Sequence, residues 1–151
     1  MEEKQNKVEV ISQLICSLTR LCSIKEDYFA SSFNLSPTEV KMLRLFSYAP
    51  SYTIKELKEK MKLTSGRITH IISSLENKKL ISRIPNENDK RNITVTVLPK
   101  AAPLLNNLIS SYNQLHCEIL QNLKKEDLNQ ITDSLNTLVS VFNKWVVQKE
   151  F

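Results

Sequence analysis

Arg67, His70 and Ser73 recur every third residue, so on an α-helix they share one face, with Ser65, Gly66 and Thr69 close by. A guanidinium can donate two hydrogen bonds to adjacent acceptors such as those on the edge of a guanine, whereas an imidazole or a hydroxyl makes single bonds. Gly66, the one glycine of the chain, would let the backbone approach a ligand closely. About twenty residues on, Asp89-Lys90-Arg91 puts a second cationic group in a polar, turn-rich stretch. A planar guanidinium there suits a narrow electronegative groove, and the sequence leaves open which of Lys90 and Arg91 would sit deepest. Catalysis is a poor fit to this inventory. Two histidines and one glycine leave no phosphate-cradling loop, nucleophile elbow or paired carboxylates, and no metal or cofactor constellation.

The charge distribution favours a polyanion as partner. Residues 53–100 carry 11 Lys+Arg against 5 Asp+Glu, whereas the 52 residues before them balance and the 51 after them are acidic by one. The net charge of +5 therefore comes from the segment that holds both candidate clusters, where counterion release would act. Lys55, Lys58 and Lys62 are weaker candidates for phosphate contact. A merely solvated basic surface is the competing reading of the charge alone.

The elements around these residues follow from periodicity and caps. Apolar residues at helical spacing from Val8 to Phe29 predict a long first helix ending near Asn34. Ser36-Pro37-Thr38-Glu39 reads as a capping box opening a second helix, with Val40, Leu43 and Phe46 inward and Pro50 beyond its end. Thr53-Ile54-Lys55-Glu56 is another, opening a short third helix with Leu57 and Met61 inward. After a break at Lys62-Leu63, Thr64 caps a fourth helix from Ser65 to about Lys78, striped by Ile68, Ile71, Ile72 and Leu75. The period then changes to two, predicting strands over Ile81–Ile84 and Ile93–Val97. Pro99 opens a long helix through Leu104, Leu108, Tyr112, Leu115 and Ile119, and Lys124–Asp127 breaks it. A last helix follows, striped by Leu128, Ile131, Leu135, Leu138, Phe142 and Trp145. The fold class is mainly α, a winged helix-turn-helix with long N- and C-terminal helices.

Leu63 to Ile81, with Asp89-Lys90-Arg91 and the Val/Thr-rich strand after it, resembles the recognition helix and wing of the MarR (multiple-antibiotic-resistance regulator) family. One long helix before this segment and two after it extend the resemblance over nearly the whole chain. Lys79 stands where a glycine is common, and Leu98-Pro99-Lys100-Ala101 replaces a Leu-Thr-x-x-Gly-like junction. The resemblance implies a sequence-specific regulator of transcription, a repressor on a pseudo-palindromic double-stranded operator. It implies Ser65, Gly66, Arg67, Thr69, His70 and Ser73 in the major groove, and Asp89 bracing Arg91 toward the minor groove. A winged-helix module for protein contacts, without specific DNA binding, is the alternative.

The division expected is a reading head over about 36–98 and dimerisation helices over about 5–34 and 99–148, forming a single domain. The terminal helices carry more apolar surface than so small a lobe can cover, which calls for a homodimer that would set two recognition helices about one DNA turn apart. A small aromatic or lipophilic effector is a further implied partner, with Phe29, Phe33, Tyr48 or Tyr112 as lining or simply as core. Cys16 lies roughly where peroxide-sensing relatives carry a reactive cysteine, although a cysteine on an apolar helical face is usually core. No apolar signal core or spanning stretch is present, so the cytoplasm is the expected compartment and no membrane partner is expected.

Overall fold

The computed structural model describes residues 2–85 and 92–149. They fall into two units, residues 1–112 and residues 113–151. The first holds α1 (Glu2–Ser32), α2 (Pro37–Leu45), β1 (Ser51–Thr53), α3 (Ile54–Met61), α4 (Ser65–Asn77), β2 (Ile81–Pro85), β3 (Ile93–Val97) and a 3-10 turn over Pro99–Ala101. α5 (Ala102–Leu120) begins in the first unit and ends in the second, which also carries α6 (Lys125–Gln148).

Both capping boxes form. The Ser36 hydroxyl accepts from the Glu39 amide at 3.2 Å while Glu39 Oε2 accepts from the Ser36 amide at 2.7 Å. Thr53 and Glu56 repeat this at 3.2 and 2.7 Å, and the Thr64 hydroxyl accepts from the Arg67 amide at 3.4 Å. Each cap satisfies amides that have no partner inside the helix. The first, third and fourth helices are each followed by a left-handed residue: Asn34 (φ 56°), Lys62 (φ 52°) and Lys79 (φ 59°). Lys62 makes the tight turn from α3 to α4. Lys79 explains why glycine is common at its position, since a Cβ is disfavoured in that conformation.

The sheet runs in the order β1-β3-β2, all antiparallel, with Tyr52 and Arg83 both opposite Val95. β1 is an addition to the sequence reading. At three residues it is too short for alternation to show, and Thr53 at its end doubles as the α3 cap. The Tyr52 hydroxyl anchors it by donating to the Leu45 carbonyl at 2.8 Å. A second departure is at Pro99, where a 3-10 turn precedes α5; its cap residue, Leu98, supplies no side-chain hydrogen bond. A third is the break after α5, which falls at residues 121–124, so that Glu126 and Asp127, expected in the break, lie in the first turn of α6, where acidic groups suit a helix N-terminus.

The core of the first unit is made by the stripes expected. Val40, Leu43, Leu57, Ile68, Ile72, Leu75, Ile81, Val95 and Leu108 are at most 2% exposed, joined by Met42, which the pattern did not single out. α6 contrasts with this, since none of its residues is buried. Leu128, Ile131, Leu135, Phe142 and Trp145 are 38–49% exposed along its stripe, and Val8, Ile11, Leu14, Leu18 and Leu21 of α1 are 45–63% exposed.

Candidate nucleic-acid interface

α4 owes its orientation to Ile68, Ile71, Ile72 and Leu75, all buried, which turn the opposite face outward. Ser65, Gly66, Arg67, Thr69 and His70 are exposed on it, and Ser73 is half-buried. A Cβ on Gly66 would meet nothing within 4 Å, so nothing in the described chain demands glycine there.

The hydroxyls are less available than their positions suggest. Thr69 Oγ1 donates to the Ser65 carbonyl at 2.9 Å, and Ser73 Oγ accepts from Arg83 Nη2 at 2.9 Å. A hydroxyl has one proton to donate, so Thr69 keeps only acceptor capacity toward a partner. Among the described residues none hydrogen-bonds the Arg67 or His70 side chain. Both line a groove of about 330 Å³ with Thr38, Leu63, Gly66 and Ile71, and His70 continues into a polar pocket of about 630 Å³ beside the α1–α2 turn. On the other flank Lys55, Lys58, Ser65 and Asn92 share a recess of about 330 Å³ where the N-termini of α3 and α4 meet β3. Lys55, Lys58 and Lys62 are exposed. Asp89, Lys90 and Arg91 lie outside the described residues.

Two polar clusters tie the helices of the first unit together, the first of them through α4, and periodicity did not reveal either. Glu39, read from sequence only as a cap, is 3% exposed and accepts from the Ser74 hydroxyl at 2.6 Å and from Lys78 Nζ at 2.7 Å. Lys78 also donates to the Asn34 carbonyl at 2.9 Å, so α4, α2 and the end of α1 share one network. Burial by itself would raise the Glu39 pKa. The hydrogen bonds from Lys78, Ser74 and the Ser36 amide outweigh it and hold the carboxyl below its ordinary value.

The second cluster joins α1, α2 and α5. Tyr112 donates to Glu26 Oε1 at 2.8 Å, Lys25 pairs with Glu26 at 3.0 Å, and the Arg44 guanidinium lies 3.7 Å from the Tyr112 ring centroid. Burial, and the hydrogen bond to Glu26, raise the Tyr112 pKa. Phe29 packs against Phe33 and Tyr112 with centroids 5.2 and 5.1 Å apart, whereas Tyr48 is 81% exposed and lies outside the core. Cys16, Cys22 and Cys117 are all exposed, so the usual core placement of a helical cysteine does not hold for Cys16.

A capped helix pair joined by a left-handed turn, with a hairpin behind the second helix, defines a winged helix-turn-helix protein of the DNA-binding regulator class. Residues 35–93, which span both helices and reach into β3, match the model of the MarR family. The HTH-type transcriptional regulator MhqR of Bacillus subtilis is 28% identical over 101 residues, covering 67% of this chain and 70% of its own. The multiple antibiotic resistance protein MarR of Salmonella typhimurium is 27% identical over 124 residues, covering 82% and 86%. In fold, a mutant of Escherichia coli MarR complexed with operator DNA superimposes with a TM-score of 0.72 at 22% identity, covering 88% of this chain and 96% of its own. The chain is thus similar to the MarR family, most directly over residues 35–93. No helix among the described residues is long and apolar enough to cross a membrane.

Proposed function

We propose that the chain is a cytoplasmic repressor that binds a pseudo-palindromic operator as a homodimer and is a binding protein rather than a catalyst. The observation that carries this is α4 itself, whose buried isoleucine stripe leaves Arg67 and His70 outward with no partner among the described residues. An α-helix of this width fits the major groove, and its first two turns reach base edges. Arg67 then reads by a bidentate contact and His70 by a single bond, with Ser65, Gly66 and Thr69 at close approach and Ser73 in a lesser role. Asp89, Lys90 and Arg91 are assigned to sugar-phosphate and the minor groove. That an Escherichia coli MarR mutant of the same fold forms a complex with operator DNA supports DNA as the partner.

The reading head, about 36–98, is duplicated by pairing of the flanking helices between two chains. The exposed stripes of α1 and α6 support that pairing, because a lone chain would leave both in water. Selection from a random duplex pool tests the reading. It should enrich an inverted repeat with half-site centres about one helical turn apart. A pool that stays random would favour the protein-contact module instead.

A further inference from the structure

We propose that Arg83 is a positioning residue for base reading, fixing the angle at which Arg67 and His70 meet a duplex by locking α4 to the first wing strand. This rests on α4 being the recognition helix. Arg83 sits on β2, which among the described residues is an edge strand paired with β3 alone. Its acceptors on α4 are spaced four and three residues apart, so they form one stripe up the side of that helix. Nη2 donates to the Thr69 carbonyl at 3.3 Å and to Ser73 Oγ at 2.9 Å, and Nη1 pairs with Glu76 Oε2 at 3.1 Å. The main chain joins in, since the Arg83 amide donates to Glu76 Oε1 at 2.9 Å. Glu76 thus grips both the backbone and the side chain of one strand residue. It also satisfies an edge amide that would otherwise be left to solvent.

The placement of these bonds gives them their functional weight. Thr69 and Ser73 flank His70 on the outward part of α4, and a shift of β2 would be transmitted to that turn through the guanidinium. With Arg83 bonded to it, Ser73 is held toward the wing and is drawn away from base reading. The two partners are part-exposed, with 29% and 27% of their side-chain surface accessible, so the pair's own contribution to stability is modest. What it supplies is orientation. A lysine would keep the charge but lacks the planar fork that reaches three acceptors at once.

The test compares full-length wild type, Arg83→Lys, Arg83→Ala and Glu76→Gln. It measures binding to the selected duplex and to a scrambled one over a range of salt, and amide exchange in the DNA-free protein. Arg83→Lys should lower the selected-over-scrambled affinity ratio at least about fivefold. It should leave the slope of log affinity against log salt unchanged and speed exchange of the residue-83 amide. Glu76→Gln should shift both readouts the same way. Joined to Arg83→Lys it should add little beyond the larger single effect, because the two act through one contact. Two results overturn the proposal: Arg83→Lys indistinguishable from wild type in both readouts, or Arg83→Ala lowering the salt slope by about one per subunit while weakening both duplexes equally. The latter is the signature of a phosphate contact. If wild type itself does not distinguish the duplexes, the recognition-helix reading fails and this role falls with it, even where the exchange data show the clamp.

Discussion

The helices of the reading head and the last helix, α6, all carry apolar stripes, yet the stripe of α4 is buried and that of α6 stays largely exposed. Ile68, Ile72 and Leu75 of α4 are fully buried, whereas Ile131, Leu135 and Phe142 of α6 stay 40–49% exposed. Periodicity reports that a face must be buried but not by what. The head closes on itself because three short helices and a small sheet surround one another. A lone α6 has no such neighbours among its own unit's described residues, and a second copy of the chain is the cover proposed here.

This difference predicts two kinds of failure. Leu135→Glu places a carboxylate where the dimer would be dry, at a cost of several kcal/mol. Sedimentation should show a monomer of about 17 kDa where wild type is dimeric at micromolar concentration, with the circular dichroism of the head largely kept. A wild-type chain that is monomeric throughout would break the comparison. Ile72→Ala strikes the closed region, and a cavity there costs roughly 2–5 kcal/mol. Its extra loss in melting temperature should change little with protein concentration, because the cavity lies inside one chain.

Acid sharpens the contrast within the head. The folded Glu39 carboxyl has a lowered pKa, so it stabilises the fold above its unfolded value, and that stabilisation disappears as pH falls through the folded value. Denaturant titrations from pH 7 down to 3 should show falling stability in wild type, with a shallower fall in Glu39→Gln from a lower starting point. Equal slopes would mean that the Ser36–Ser74–Lys78 network contributes no pH dependence. The smallest effect is a gain. Lys79 holds a left-handed conformation at φ 59°, and Lys79→Gly should raise stability by about 0.5–1 kcal/mol in chemical denaturation. An unchanged or lower midpoint would count against strain at that turn.

How far the sequence could be read follows the same division. Caps and stripes are local, so Ser36, Thr53 and Thr64 were legible as helix starts and the isoleucines of α4 as core. β1 was not, because three residues cannot show a period. Glu39 and Arg83 were hidden for another reason: the carboxyl meets partners 35 and 39 residues away, and the guanidinium reaches back across the α4–β2 corner. For the candidate site, sequence placed Arg67 and His70 on an outward face but could not show that Thr69 and Ser73 are already hydrogen-bonded within the fold. The DNA roles of all these residues, and of Asp89, Lys90 and Arg91, are proposals for experiment.

The most direct experiment is a salt titration of wild type and Arg67→Ala on the selected operator and on a scrambled duplex of equal length. Base contacts discriminate, whereas phosphate contacts add affinity to every sequence alike. Arg67→Ala should therefore cost roughly 1–3 kcal/mol per contact on the operator and much less on the scrambled duplex, with the salt slope nearly unchanged. Equal weakening of both duplexes, with a slope lower by about one per subunit, would make Arg67 a phosphate contact and contradict the assignment of α4 as the reading helix.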